Sequence, residues 1–425
     1  MSTTDLFNLK LVKSYEQVDH VNKRFYGRFN YPWSPSLLPA YPPGMAGLFV
    51  NQDIGSWNHS RIPERPKIWI AGCGTNQALF TALKFPEAEV LGTDISSGSL
   101  DVCRRNAAQL GVKNLELEER SLNEITHKDK FDYVLCTGVV HHNANPDATL
   151  KKIAGALKPN GILEFMVYNY YHRLLSTATQ NAVREFYEYD SSPDLDLELS
   201  LIGKLIAGFQ PENLVTRFLK AHSITPEAEM ADTLLQPVEY SYTVRSLEKL
   251  TGQSNLSYLA QCPNQFDVES ERLDWNMTFK DPSLQALYDK LPDVRRWQIS
   301  NLLLLDKSPM LWFYFQRQDA GIPIRSEQEI CEEFLHTRFE KNSFQVRNYI
   351  LNADGDYLLS EKPRSLPSPA LPKHPLAARV YNEVNKNLTI GEVFERLKIK
   401  PGFRHVNEVR IRLTSSQFPY LLAVC

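Results

Sequence analysis

Cysteine is scarce and scattered. The 425 residues hold six, at positions 73, 103, 136, 262, 331 and 425, and no two form a CxxC pair. Such spacing makes neither a disulfide framework nor a zinc site, and it suits a reducing compartment. Long apolar runs are missing as well: nothing approaches the roughly 18 residues of a membrane span. Asp5, Asn8 and Lys10 break up the first residues, so neither a membrane partner nor a secretory signal is expected, and a cytoplasmic location is. Positive charge is not in excess. Lys plus Arg is 47 against 50 for Asp plus Glu, a formal net charge of −3, so no global field gathers phosphate backbones and a nucleic-acid partner is disfavoured. Metal-ligand spacing is absent too, and no metal is expected. What is present is ordinary globular material, 43% hydrophobic and 23% charged. At roughly 100–200 residues per domain, the length allows two or three domains.

Between residues 67 and 168, short apolar runs alternate with helical periodicity. The run 67–71 (KIWIA) reads as a buried strand closed by Gly72-Cys73-Gly74, and 89–93 (EVLGT) as another closed by Asp94. Serines 96, 97 and 99 offer N-caps to a helix with Leu100, Cys103, Ala107 and Leu110 at helical spacing. A third strand fits 114–117 and a fourth 131–137 (FDYVLCT), after which Asn145 caps a helix with Pro146 in its first turn. Lys158-Pro159-Asn160-Gly161 then turns the chain into a fifth strand at 162–168. Parallel strands need crossovers that are usually helical, so the alternation predicts a doubly wound, mostly parallel α/β sheet.

From 172 to 242 the pattern becomes helical, at 199–209 and 214–222, with acidic residues at 190, 194, 196 and 198 that read as a solvated loop. This predicts an insertion covering the sheet. A helix at 244–251 and strands at 256–261 and 310–315 follow. Five prolines within 363–375 make a linker-like stretch. Beyond it, Thr389-Ile390-Gly391-Glu392 matches a capping box and 409–413 reads as a strand, together a small α+β module of winged-helix type. The expected division is an aromatic arm or lid at 1–45, a main domain at 46–320 with its helical insertion at about 172–242, and an accessory domain at 321–425.

Gly72 and Gly74 let the backbone approach a ligand and open a helix whose first amides are free. Asp94 follows Gly74 by twenty residues, the usual interval to a carboxylate that takes ribose hydroxyls. A nicotinamide fingerprint wants a third glycine at 77, where Gln77 stands, and this argues against a dehydrogenase. The blocks IAGCGTNQALFTAL, EVLGTDIS and FDYVLCTGVVHHNANPDATLKKIAGALKPNGILEF, about a quarter of the chain, resemble the class I S-adenosylmethionine-dependent methyltransferases. Asn30-Tyr31-Pro32-Trp33, and DTLLQP at 232–237 followed by YSYTV, resemble a bacterial subgroup whose first block reads AGCGTGQ behind a YPxW-like segment.

The resemblance implies a Rossmann-like methyltransferase fold with S-adenosyl-L-methionine lying across the carboxyl ends of the strands. It implies that Ala71, Gly72, Cys73 and Gly74, with Asn76 and Gln77, border the methionine portion, and that Asp94 holds the ribose hydroxyls. Ile95 and Leu122 would enclose the adenine with Ser121 beside it, and Thr137, Gly138 and Val139 would line the wall next to the sulfonium. Three positions depart from the family's usual pattern: Ile70 replaces an acidic residue, Asn76 the third glycine, and Ser121 an aspartate that many members carry.

Methyl transfer from a sulfonium is a direct displacement, so alignment in a dry site matters most, and a base matters only for a neutral hydroxyl, an amine or an acidic carbon. His141 and His142, after the fourth strand, are candidates for that base or for orienting the acceptor; packing and capping the loop is the competing reading. Tyr168, Tyr171, His172 and Arg173 read as an acceptor wall in which Arg173 holds a carboxylate or phosphate, or as a helix start whose aromatics pack under the insertion. Tyr26, Arg28, Tyr31 and Trp33 read as a lid that brings Tyr31 and Trp33 to the acceptor, or as a docking arm without ligand contact. Three functions stay open: methylation of a small molecule from secondary metabolism, methylation of a peptide or protein gripped by the C-terminal module, and a regulatory protein of reduced turnover, as Asn76 and Ser121 suggest.

Overall fold

The computed structural model describes residues 14–29, 35–187, 194–223 and 225–424. After a helix at Tyr15–Arg28, a short strand β1 (Leu37–Ala40) and a second helix at Met45–Asp53, the chain builds its main sheet. The strands of that sheet are β2 (Lys67–Ala71), β3 (Glu89–Asp94), β4 (Leu115–Glu119), β5 (Phe131–Thr137), β6 (Leu157–Val167), β7 (Leu256–Gln261) and β8 (Leu311–Arg317). Among the described residues it runs β4-β3-β2-β5-β6-β8-β7. The first five strands are parallel, and β8 lies antiparallel between β6 and β7.

Why β2 reads as apolar throughout follows from its place in the middle. Successive side chains point to opposite faces, and helices cover both faces of a parallel sheet. Trp69 accordingly packs into one core with Val134, Phe165 and Phe313, while Ile68 and Ile70 pack into the other with Tyr133 and Ile162. Local signals act as read at the helix starts: Ser96 accepts from the Ser99 amide, Asn145 from the Ala148 amide behind Pro146, and Thr389 forms a capping box with Glu392. The Lys158-Pro159-Asn160-Gly161 turn lies inside β6 rather than before it. Pairing jumps from Phe131↔Leu157 to Tyr133↔Ile162, so these residues bulge from the ladder without ending the strand.

Helices Tyr170–Arg184, Leu195–Gly208, Leu214–Ala221 and Glu227–Leu234 make the insertion. Of the acidic stretch read as a solvated loop, Asp196 is exposed and paired with Arg28, but the described part of the stretch opens a helix. Asp194 caps the second of these helices and Glu198 is buried against Arg184, while Asp190 lies outside the described residues. No helix among the described residues is long and apolar enough to cross a membrane.

The remaining strands are β9 (Phe339–Lys341), β10 (Gln345–Leu351), β11 (Tyr357–Leu359), β12 (Arg364–Ser365) and β13 (Leu421–Ala423). β9 pairs with β13, and β10 pairs with β11, with β12 and, across the chain, with β1. The strand expected at 409–413 is instead part of a helix, Phe403–Thr414. Besides Val406, Val409, Arg410 and Leu413 on one face, Asn407, Ile411 and Thr414 are buried too, among the helices Glu327–His336, Pro375–Glu383 and Met45–Asp53, so burial on several sides blurs the helical period in the sequence.

Candidate active site

β2, β3 and β5 end on one edge of the sheet, and the glycines and Asp94 meet there. The chain leaves β2 at Gly72 with φ +79°, where a Cβ would lie 2.5 Å from Val139 Cγ2, so only glycine fits. The carbonyl of Thr93 accepts from the Gly72 and Cys73 amides at 2.8 and 2.9 Å. Asp94 is clamped in turn. Its Oδ2 accepts from the Gly74 amide and its Oδ1 from the Ser96 amide, both at 2.8 Å. Burial pushes this carboxyl above its ordinary range, and the bonds from Ser96, Gly74 and Ile95 hold it back. A carboxylate admits about four donors, so these three leave room for a further one.

Around this clamp, Gln77 Nε2 donates to Thr137 Oγ1 at 2.7 Å and the Gly138 amide to the Met166 carbonyl at 3.1 Å, which fixes the wall that continues to Val139. Asn76 turns inward, where its Oδ1 accepts from Asn106 Nδ2 at 2.8 Å, so its side chain is spent on the core. Ala71 and Leu122 are buried, and Ile95 is half-buried. Cys73 is buried beside Asp94 with its thiol pushed well up by desolvation, which leaves it inert. Ser121 caps the turn Leu122–Glu124 and donates to Asp19 Oδ2 at 2.5 Å.

Beyond β5 and β6 lies a buried polar cluster. His141 and His142 are almost fully buried, their rings 4.1 Å apart, and the His141 ring sits 4.0 Å from that of Tyr168. Burial, above all, holds both imidazoles below their ordinary pKa, so both are neutral near pH 7. The N-terminal helix covers them: Asn22 Nδ2 donates to the His142 carbonyl at 2.7 Å.

Arg173 is not free to hold an acceptor anion. A buried guanidinium requires a counter-charge, and Glu239 supplies it. His172 Nε2 is bound to the Ser308 carbonyl at 2.9 Å, and Tyr171 lies against Tyr170. Tyr31 and Trp33 lie outside the described residues.

Sequence reasoning missed Asp19, Asn22, Asp232, Gln236 and Glu239. Asn22 carried a signal, as a polar residue inside the apolar stripe Val18, Val21, Phe25. Asp232 and Gln236 lie in the DTLLQP segment, noticed there without a role. Gln236 Nε2 donates to Tyr26 Oη at 3.0 Å and to Asp232 Oδ1 at 2.9 Å, and Tyr168 Oη reaches Asp232 Oδ2 at 3.4 Å. Five buried atoms of this cluster have no hydrogen-bond partner: both ring nitrogens of His141, His142 Nε2, Asn22 Oδ1 and Gln236 Oε1. A buried polar atom that stays unpaired costs about 1–3 kcal/mol, so these five are the atoms of the cluster with hydrogen-bonding capacity to spare.

A family model described as a methyltransferase domain matches residues 71–200. The chain is 28% identical over 322 residues to an uncharacterized Synechococcus protein, covering 73% of this chain and 75% of that one. It is 30% identical over 180 residues to an uncharacterized Rickettsia prowazekii protein, covering 41% of this chain and 68% of the other. In fold it is similar to PKMT2 from Rickettsia typhi, with a TM-score of 0.56 and 15% identity over 90% of this chain and 76% of that one. The chain belongs to the class I S-adenosylmethionine-dependent methyltransferases. Its cofactor is S-adenosyl-L-methionine.

The donor set of this methyltransferase fits that cofactor. Asp94 has room for a hydroxyl donor, and Gly72 leaves a cradle that a Cβ would fill. Neither departure obstructs the crevice, since Asn76 faces the core and Ser121 faces Asp19.

Proposed function

We propose that the protein methylates an amine nitrogen, with the acceptor held among His142, Tyr168 and Asp232. The observation that carries this reading is the charge balance of the buried cluster. Arg173 is committed to Glu239, while Asp232 forms no ion pair among the described residues. A carboxylate left without a cation favours an acceptor that arrives as an ammonium.

His142 supports the same reading. Its Nδ1 lies 2.8 Å from the Val238 carbonyl, which can only accept, so Nδ1 carries the ring hydrogen and the unpartnered Nε2 presents a lone pair. Bound S-adenosyl-L-methionine supplies a methyl group on a positively charged sulfur. His142 Nε2 takes a proton from the ammonium, and Asp232 orients the remaining N–H groups. With that proton on His142, the nitrogen's lone pair would be free toward the methyl group that the bound cofactor would supply. In this reading Asp94 holds the ribose hydroxyls, Gly72 and Gly74 the methionine portion, and Thr137, Gly138 and Val139 the reacting end.

The acceptor amine is that of a polypeptide side chain. Likeness over 90% of this chain to PKMT2, a protein lysine methyltransferase, must take in part of the segment after residue 320, and supports a shared use of that segment. A second reading, a small amine from secondary metabolism, is favoured by the nearly complete burial of His141 and His142. Incubation of cell extract with methyl-labelled cofactor, followed by separation of protein from metabolites, distinguishes the two. Label on protein that resists base and disappears when amines are acetylated beforehand is the expected result. Base-labile label, or label indifferent to acetylation, overturns the amine assignment.

A further inference from the structure

We infer that Asp19, on the N-terminal helix, accepts a hydrogen bond from the exocyclic amino group of the cofactor's adenine and selects that base. The inference rests on the placing of the ribose at Asp94 and is independent of the acceptor's identity.

The helix Tyr15–Arg28 starts at a capping box, Ser14 with Gln17, and buries Val18, Val21, Asn22 and Phe25. Packed against the helix Ser97–Gln109, it carries Asp19 to the loop after β4. There Asp19 Oδ2 accepts from Ser121 Oγ at 2.5 Å, and Oδ1 accepts from Asn123 Nδ2 at 3.2 Å. This loop adjoins the ribose clamp. Asp94 pairs with Glu119 across β3 and β4, and the Arg120 amide donates to the Asp94 carbonyl at 2.9 Å. A base attached to a ribose at Asp94, and lying as the resemblance implies between Ile95 and Leu122, would meet Ser121 with its far edge.

On that edge adenine presents an amino group, which needs an acceptor. Ser121 Oγ is neutral and already accepts from the Asn123 amide at 3.1 Å while its hydrogen goes to Asp19, so the stronger, charged acceptor is Asp19. The Asp19 carboxylate receives two donors, out of about four that its lone pairs admit. It forms no ion pair among the described residues, while Lys23, one turn on, is bonded to Glu119 instead. Half-buried and held by two neutral donors, Asp19 is poised for a third. The carboxylate that position 121 lacks is thus supplied from 102 residues upstream.

The test compares binding of S-adenosylhomocysteine with its inosine counterpart, in which an oxo group replaces the amino group, by calorimetry on the full chain. The wild-type protein is expected to favour the adenine compound by about tenfold or more, the scale of a hydrogen bond to a charged group. D19N is expected to lose about that factor for the adenine compound and to bind the inosine compound as well as wild type or better, because an amide can donate to the oxo group. Equal loss for both compounds, or no loss for either, overturns the inference and leaves Asp19 as a tether for the helix. D19S, compared in the same way, decides the matter should D19N lack a cooperative melt. S121A removes the tether but keeps the carboxylate, and it should retain the preference for adenine. D94A should weaken both compounds alike; if it weakens neither, the placing of the cofactor itself has failed.

Discussion

Arg173 lays its guanidinium 4.3 Å over the Tyr168 ring and gives two hydrogen bonds, of 2.8 and 2.5 Å, to the Glu239 carboxylate. Both partners are largely buried, so truncating Arg173 strands a charge. Arg173→Ala is expected to destabilise the fold by about 3–5 kcal/mol, and Arg173→Ala with Glu239→Gln by less than Arg173→Ala alone. Urea unfolding of the four species measures the coupling.

Asp94, proposed to hold the ribose hydroxyls, is tested by its effect on cofactor binding. Asp94→Ala is expected to weaken S-adenosylmethionine binding by about 1–3 kcal/mol, read by calorimetry.

Gly72→Ala combines a positive φ with a collision at Val139. A loss of about 1–3 kcal/mol in stability is expected, with weakened cofactor binding. Adding Val139→Ala should recover part of the loss but not all, because the backbone strain remains.

His142 must be neutral to accept a proton, and burial holds its pKa below the ordinary value of 6.5. Turnover is therefore expected to stay level as pH falls through 6.5 and to decline only below it. His142→Gln should lower kcat with little change in cofactor affinity. An acid limb centred above 6.5 in the pH–rate profile would count against His142 as the base.

Asp53 is pushed up from 3.8 to about 7, chiefly by burial, although it accepts from the Ser416 amide and the Tyr314 hydroxyl, each at 2.9 Å. Between those two values the folded state holds a proton that the unfolded state releases, so stability falls as pH rises from about 4 to about 7. In Asp53→Asn that loss is expected to shrink, with the melting temperature of the variant gaining on wild type across this range.

The parts of this molecule legible in the sequence are those set by neighbours along the chain. KIWIA, FDYVLCT and the Asn145-Pro146 cap depend on alternation and on one side chain reaching three residues ahead, and all three come out as read. The acceptor cluster was not legible, because its bonds join residues far apart: Asn22 to His142, Arg173 to Glu239, His142 to Val238. No local pattern says that an arginine after a strand is reserved by a glutamate 66 positions later. The 409–413 stretch failed for a related reason, since β-branched residues packed on several sides look the same in a strand and in an enclosed helix.

The pairing of β1 with β10 sets Leu37 opposite Ile350. A ribosome releases the first strand long before its partner exists, so β1 must wait, unpaired, through the synthesis of the whole main sheet. A strand made about 300 residues later is then what closes the first, and a nascent chain stalled before residue 345 carries an open strand edge available to any passing β-segment.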